Sequence, residues 1–61
     1  MPMRVLVVDD SGFMRKRIIE ELRGQGHSVV GEAKSGVEAI EMYRRLRPDL
    51  VTMDITMRDK D

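Results

Sequence analysis

The sequence predicts an α/β fold in the order β-α-β-α-β, with three parallel strands joined by two helices. Three short apolar runs, at residues 4–8, 28–30 and 50–53, have the continuous hydrophobic character of strands that are buried on both faces. The two segments between them carry apolar residues at helical spacing. Strands that alternate with helices in this way favour a parallel sheet.

The first strand, residues 4–8, leads directly into the first helix. Ser11 or Asp10 is expected to cap that helix, because a side-chain oxygen there can accept a hydrogen bond from an unpaired backbone N–H. Gly24 and Gly26 are expected to end it. Its apolar residues recur at four-residue spacing, at Met14, Ile18 and Leu22. Its basic residues are expected to lie on a solvated face, at Arg15, Lys16 and Arg17.

The second strand, around residues 28–30, is expected to close at Gly31. Ser35 and Glu38 then form a capping box, in which each side chain accepts a hydrogen bond from a backbone N–H at the start of the second helix. Pro48 is expected to end this helix, because it pushes the preceding residue out of the helical region. Three methionines are expected to fill the core, at positions 14, 42 and 53.

Right-handed crossovers place the first strand at the centre of a three-stranded sheet of order 2-1-3, with the helices on opposite faces. The first and third strands then end side by side where the direction of winding reverses, which is where ligands bind in such sheets. Asp9 and Asp10 follow the first strand, and Asp54 follows the third. We therefore expect these three carboxylates to converge.

Three carboxylates at one edge repel one another unless a cation joins them. An acidic residue after a strand can instead stabilise a helix N-terminus, but capping needs only one of the three. Mg²⁺ prefers oxygen ligands of this kind. The sequence therefore predicts a Mg²⁺ site at Asp9, Asp10 and Asp54, and the backbone carbonyl of Thr56 can also turn toward a cation.

Composition limits the classes of function. The 61 residues are enough for one small domain, and 11 basic residues balance 11 acidic ones. A neutral chain without a long apolar run argues against binding to nucleic acid or to a membrane, so we expect a cytoplasmic protein. The absence of cysteine excludes disulfides and thiolate metal sites.

Three segments in order resemble the receiver domain of response regulators, most of all the single-domain chemotaxis type. They are RVLVVDDSGFMR, GEAKSGVEAIEMY and RPDLVTMDITM. The resemblance covers essentially the whole chain. It implies that residues 1–61 are the N-terminal half of a receiver domain, and so half of a flavodoxin-like doubly wound fold.

The resemblance also implies a role for each acidic residue in a two-component phosphorelay. Asp54 would accept a phosphoryl group from a histidine kinase or a small phosphodonor. Asp10 would bind Mg²⁺ directly and Asp9 would help to hold it, often through water. Asp54 and the backbone carbonyl of Thr56 would complete the protein ligands. The downstream target is not apparent from the sequence.

Two departures from the family change what we expect of the chain. Arg58 stands where the family usually has proline, and the switch Ser/Thr and the phosphate-contacting lysine have no counterpart. We expect Mg²⁺ binding to survive and phosphoryl transfer to be impaired, with autophosphorylation as the only reaction. The third strand would have an open edge, which predicts a homodimer or a swapped assembly.

Two other readings remain. The first is a non-catalytic, self-assembling half-fold. The second is a phosphohydrolase of the haloacid-dehalogenase type, which needs an aspartate two residues after its nucleophile. Ser11 and Thr56 occupy those positions after Asp9 and Asp54, which disfavours this class. A dinucleotide site is disfavoured because no Gly-x-Gly-x-x-Gly motif follows the first strand.

Overall fold

A computed structural model describes residues 1–53 of the chain. Its elements are β1 (Arg4–Val8), α1 (Gly12–Gly24), β2 (Ser28–Ala33), α2 (Gly36–Leu46) and β3 (Leu50–Met53). The strands form one parallel sheet in the order β2-β1-β3. This architecture confirms the predicted α/β fold and its 2-1-3 strand order, and it is consistent with part of a flavodoxin-like fold.

β1 is the centre of the core because a strand flanks it on either side and a helix covers each face. Val5 and Val7 pack on the α1 side with Ile19. Leu6 and Val8 pack on the α2 side with the small side chains Ala33 and Ala39. Successive side chains of a strand point to opposite faces, so one apolar run supplies both halves of the core.

Gly31 does not close β2, as the sequence suggested, but lies inside it. The register with β1 shifts between Val5, which pairs with Val29, and Leu6, which pairs with Gly31. A Cβ atom on Gly31 would lie 2.8 Å from the terminal methyl of Met42. Glycine therefore allows α2 to approach the sheet closely, and the irregular register re-aims the end of the strand.

The helix ends follow the predicted signals with one difference. Ser11 caps α1 by accepting a hydrogen bond from the N–H of Met14, and Ser35 caps α2 by accepting one from the N–H of Glu38. The Glu38 carboxylate accepts from the N–H of Lys34 at 3.0 Å, one residue before the cap. The capping box is thus displaced by one residue.

The α2 helix ends at Leu46, and Arg47 adopts a left-handed conformation with φ 48° before Pro48. The prediction that proline pushes its neighbour out of the helical region is confirmed.

Several large apolar side chains remain exposed in the described part of the chain. Met14 and Met53 are 42% and 49% exposed, so the prediction that they fill the core is wrong; Met42 does pack against it. A groove of about 480 Å³ lies between α2 and β3. Its apolar lining includes Ile40, Tyr43 and Val51. Within residues 1–53, neither helix is long and apolar enough to cross a membrane.

Candidate functional site

The three strands end level with one another at their carboxyl ends. Val8, the last residue of β1, pairs with Ala33 of β2 on one side and with Met53 of β3 on the other. Asp9 follows Val8 in the chain, and Asp54 follows Met53. The predicted acidic edge therefore begins at the level where the sheet ends.

Asp9 is held in a fixed position at this edge. It is only 2% exposed, and its backbone N–H donates to the carbonyl of Ala33 at 3.0 Å. Its carboxylate oxygen Oδ1 accepts a hydrogen bond of 2.9 Å from the N–H of Ser11. A buried carboxylate is costly unless hydrogen bonds or a cation compensate its charge. One hydrogen bond from residues 1–53 offsets only part of that cost.

Asp10 differs from Asp9 in its surroundings. Its side chain is exposed, and no residue among 1–53 donates a hydrogen bond to it. Ser11, not Asp10, caps α1. The Asp10 carboxylate is therefore not occupied by a capping role, and its oxygens remain available for a ligand in solution.

Arg15 joins this edge to the neighbouring strand. Its Nη1 atom donates to the backbone carbonyl of Asp9 at 2.7 Å, and its Nε atom contacts Oε1 of Glu32 on β2 at 3.0 Å. The Arg15 side chain is only 18% exposed. The prediction that it belongs to a solvated helix face is wrong, because the first turn of α1 directs it back over the end of the sheet.

Sequence reasoning missed Arg15 as a residue of the site. Periodicity assigns Arg15 to the polar side of α1, but it does not tell whether the side chain faces solvent or the acidic loop. The available signal was its position four residues after the cap Ser11, on the first turn that faces the strand ends.

Asp54 and Thr56 lie outside the described residues. Their expected placement, and that of Arg58, stays a prediction. Within residues 1–53, no group of three acidic, histidine or cysteine side chains is close enough to hold a metal. Asp9 and Asp10 supply two oxygen donors of the type that Mg²⁺ uses, so the described part of the site fits the ion without completing its ligand set.

Comparison with known proteins now identifies the class. The family model of the response regulator receiver domain matches residues 5–61, and the chain belongs to that family. It is 53% identical over 57 residues to the chemotaxis protein CheY of Thermotoga maritima, covering 93% of this chain and 48% of the relative. It is 51% identical over 61 residues to CheY of Bacillus subtilis, covering 100% of this chain and 51% of the relative.

Larger proteins also contain a segment similar to this chain. The chain is 53% identical over 62 residues to a protein-glutamate methylesterase/protein-glutamine glutaminase of Alkalilimnicola ehrlichii, covering 100% of this chain and 16% of the relative. The chain spans about half the length of the CheY proteins that it matches. The match confirms the predicted receiver family.

Proposed function

We propose that residues 1–61 form the N-terminal half of a receiver domain that acts in two-component phosphorelay signalling. In this proposal Asp54 accepts a phosphoryl group from a histidine kinase. Mg²⁺ is held by Asp9, Asp10, Asp54 and the backbone carbonyl of Thr56. The family match over residues 5–61 is the observation that carries the proposal, and it favours this function over a non-catalytic half-fold.

The described geometry supports the site at β1. The pairing of Val8 with Met53 ends β1 and β3 at one level, and each strand is followed in the chain by an aspartate. Asp9 is buried and fixed, whereas Asp10 is exposed and accepts no hydrogen bond from residues 1–53. One rigid and one solvent-facing carboxylate suit an ion that enters from water and keeps several water ligands.

Phosphoryl transfer to a carboxylate brings two anions together, so it depends mainly on positioning and on charge compensation. When bound, Mg²⁺ would supply positive charge next to the phosphoryl oxygens. Asp9 and Asp10 would hold that charge beside the end of β3. The backbone hydrogen bond from the N–H of Asp9 to the carbonyl of Ala33 would keep Asp9 at the end of the sheet.

Phosphorylation from a small donor tests the proposal. The chain is incubated with an acyl phosphate and Mg²⁺, and its intact mass is measured. We expect a slow gain of one phosphoryl group that Asp54→Asn abolishes and that removal of Mg²⁺ prevents. Asp59→Asn serves as the matched control, since it removes an aspartate that follows Asp54 in the sequence and has no assigned role. Equal labelling of Asp54→Asn would overturn the assignment of the acceptor.

The names of the relatives suggest an output for the signal, which we also propose here. Two of the similar proteins are named as chemotaxis proteins, so chemotaxis is the output that we propose for this chain. A cytoplasmic location and the absence of nucleic-acid binding stay predictions.

Self-association of the chain is a second, independent proposal. Among the described strands β3 pairs on one side only, and Leu50 and Met53 on it are 42% and 49% exposed. An open, apolar strand edge favours pairing with another chain. We expect sedimentation analysis to show a dimer whose fraction rises with concentration, and Leu50→Lys to lower that fraction. A well-folded monomer at every concentration would refute it.

A further inference from the structure

Arg15 contacts the acidic edge through the backbone and not through a carboxylate. Its Nη1 atom donates to the carbonyl oxygen of Asp9, at 2.7 Å, while its Nε atom is anchored on Glu32 at 3.0 Å. The Asp9 carbonyl belongs to the peptide group that continues to Asp10. The planar guanidinium therefore connects the fixed strand β2 with the peptide that orients Asp10.

Three hydrogen bonds converge on Asp9, and each restrains a different atom. Ala33 accepts from its N–H, Ser11 donates to its carboxylate, and Arg15 donates to its carbonyl. The first fixes Asp9 itself, and the second joins the Asp9 side chain to the N–H of Ser11, across Asp10. The third holds the carbonyl of the peptide between Asp9 and Asp10, so the Arg15 side chain restrains the direction in which Asp10 leaves the strand.

A cation beside a metal site would ordinarily repel the metal. Here Glu32 forms an ion pair with the Nε atom of the guanidinium, so part of the positive charge of Arg15 is compensated. The pair is partly exposed, with Glu32 at 51%, and solvent screens what remains. Arg15 can thus contribute a directed hydrogen bond without a large electrostatic penalty for a bound cation.

We propose that Arg15 is a positioning residue for the metal site, which orients the Asp9–Asp10 peptide so that the Asp10 carboxylate faces the ion. This inference rests on the proposed Mg²⁺ site. The inference predicts the direction in which Mg²⁺ affinity changes when Arg15 is removed, because an orienting role and a purely electrostatic role change that affinity in opposite directions. If orientation dominates, removal of Arg15 weakens Mg²⁺ binding although a positive charge has been lost.

The test compares Arg15→Met, which keeps most of the apolar stem, with Arg15→Lys, which keeps the positive charge but not the planar guanidinium group. Arg17→Met is the matched control, because Arg17 lies on the same helix and its guanidinium packs over the ring of Phe13. Mg²⁺ dissociation constants are measured by calorimetry. Amide resonances of Asp10 and Ser11 report the loop directly, and thermal unfolding without metal reports stability.

We expect Arg15→Met to raise the Kd for Mg²⁺ about tenfold, as for other residues that orient metal ligands through hydrogen bonds. Arg15→Lys should fall between this variant and the unmodified chain, and Arg17→Met should leave the Kd unchanged. Glu32→Gln retains Arg15, and with it the contact to the Asp9 carbonyl, and should change the Kd less than Arg15→Met. If Arg15→Met fails to fold, Arg15→Lys carries the test: a Kd for Mg²⁺ above that of Arg17→Met supports the orienting role, and an equal or lower Kd overturns it.

The possible results distinguish failure of this inference from failure of the proposed function. Tighter Mg²⁺ binding by Arg15→Met would show that Arg15 acts as a charge and would overturn the inference. An unchanged Kd with lower stability would show a structural role only and would also overturn it. Both results leave the proposed metal site intact. No Mg²⁺ binding by the unmodified chain would overturn the site and the inference together.

Discussion

The two ends of β1 differ in how their charged side chains are partnered. At the amino end, Arg4 donates from its guanidinium to the carbonyls of Leu46 and Arg47, at 2.7 and 2.8 Å. The backbone of Arg4 also exchanges two hydrogen bonds with Asp49, whose carboxylate accepts from the Arg4 N–H and whose own N–H donates to the Arg4 carbonyl. At the carboxyl end, Asp9 is buried and Asp10 is left without a partner among residues 1–53.

The difference agrees with the proposal that the amino end contributes stability and that the carboxyl end binds a ligand. The Arg4 guanidinium bonds to the last carbonyls of α2, which lack partners within the helix and carry partial negative charge. The Asp49 carboxylate accepts a donor, so charges and hydrogen bonds match at this end. At the other end two carboxylates lie next to each other in the chain. Unfavourable arrangements of this kind occur mostly at functional sites, which agrees with the proposed metal site.

Arg4→Ala has the largest expected effect on this contrast, and it acts on stability alone. The variant loses two hydrogen bonds from a charged donor to helix carbonyls, which we expect to lower the free energy of unfolding by about 1–2 kcal/mol after allowance for solvent exposure. Mg²⁺ affinity should not change, because the whole length of β1 separates the two ends. Denaturant unfolding measures the free energy of unfolding, and calorimetry on the same protein preparation measures the Mg²⁺ affinity.

Arg23→Ala is the control for this prediction. Arg23 is a basic residue in the last turn of α1, and no hydrogen bond or ion pair of its side chain joins it to the described residues. Its removal should change stability by less than about 0.5 kcal/mol. A loss of Mg²⁺ affinity in Arg4→Ala, matching its loss of stability, would show that the two ends are not separate.

The contrast also separates what the sequence predicts from what it does not. The existence of the three strands, the cap Ser35 and the side-by-side ends of β1 and β3 follow from periodicity, capping chemistry and crossover handedness. The sequence left the cap of α1 open between Ser11 and Asp10, and the structure has Ser11 there. Residues that act at long range were missed. Arg4 contacts the carbonyls of Leu46 and Arg47, which become its neighbours only after folding, so no local pattern identifies it. Arg15 was missed for a different reason: its contact with the Asp9 carbonyl is local in the sequence, but periodicity alone assigns the side chain to solvent.

The predicted end of β2 was wrong for a reason that also lies in contacts between elements. Glycine inside a short apolar run is a reasonable end signal when the chain is considered alone. The reason for Gly31 is the close approach of Met42 and Leu46 from α2, and that contact depends on the packing of the helix against the sheet. Local sequence signals therefore predict which elements form, whereas packing between elements decides where β2 ends.

Asp9→Asn has a smaller expected effect on stability, with the opposite sign. Asparagine has nearly the same shape and keeps an oxygen that can accept from the Ser11 N–H, but it removes a buried negative charge next to Asp10. We expect the metal-free variant to be more stable by about 0.5–1 kcal/mol, since repulsion between neighbouring carboxylates is relieved. Stabilisation by Mg²⁺ should fall at the same time, because ligand binding to the folded state is what produces it.

Thermal unfolding with and without Mg²⁺ measures both effects in one experiment. In the unmodified chain the metal should raise Tm, whereas in Asp9→Asn the metal-free Tm should begin higher and rise less. Glu20→Gln, which removes an exposed carboxylate from α1, is the control and should leave both values unchanged. If Asp9→Asn destabilises the metal-free chain, then Asp9 contributes to stability as Arg4 does, and the distinction between the two ends of β1 is wrong.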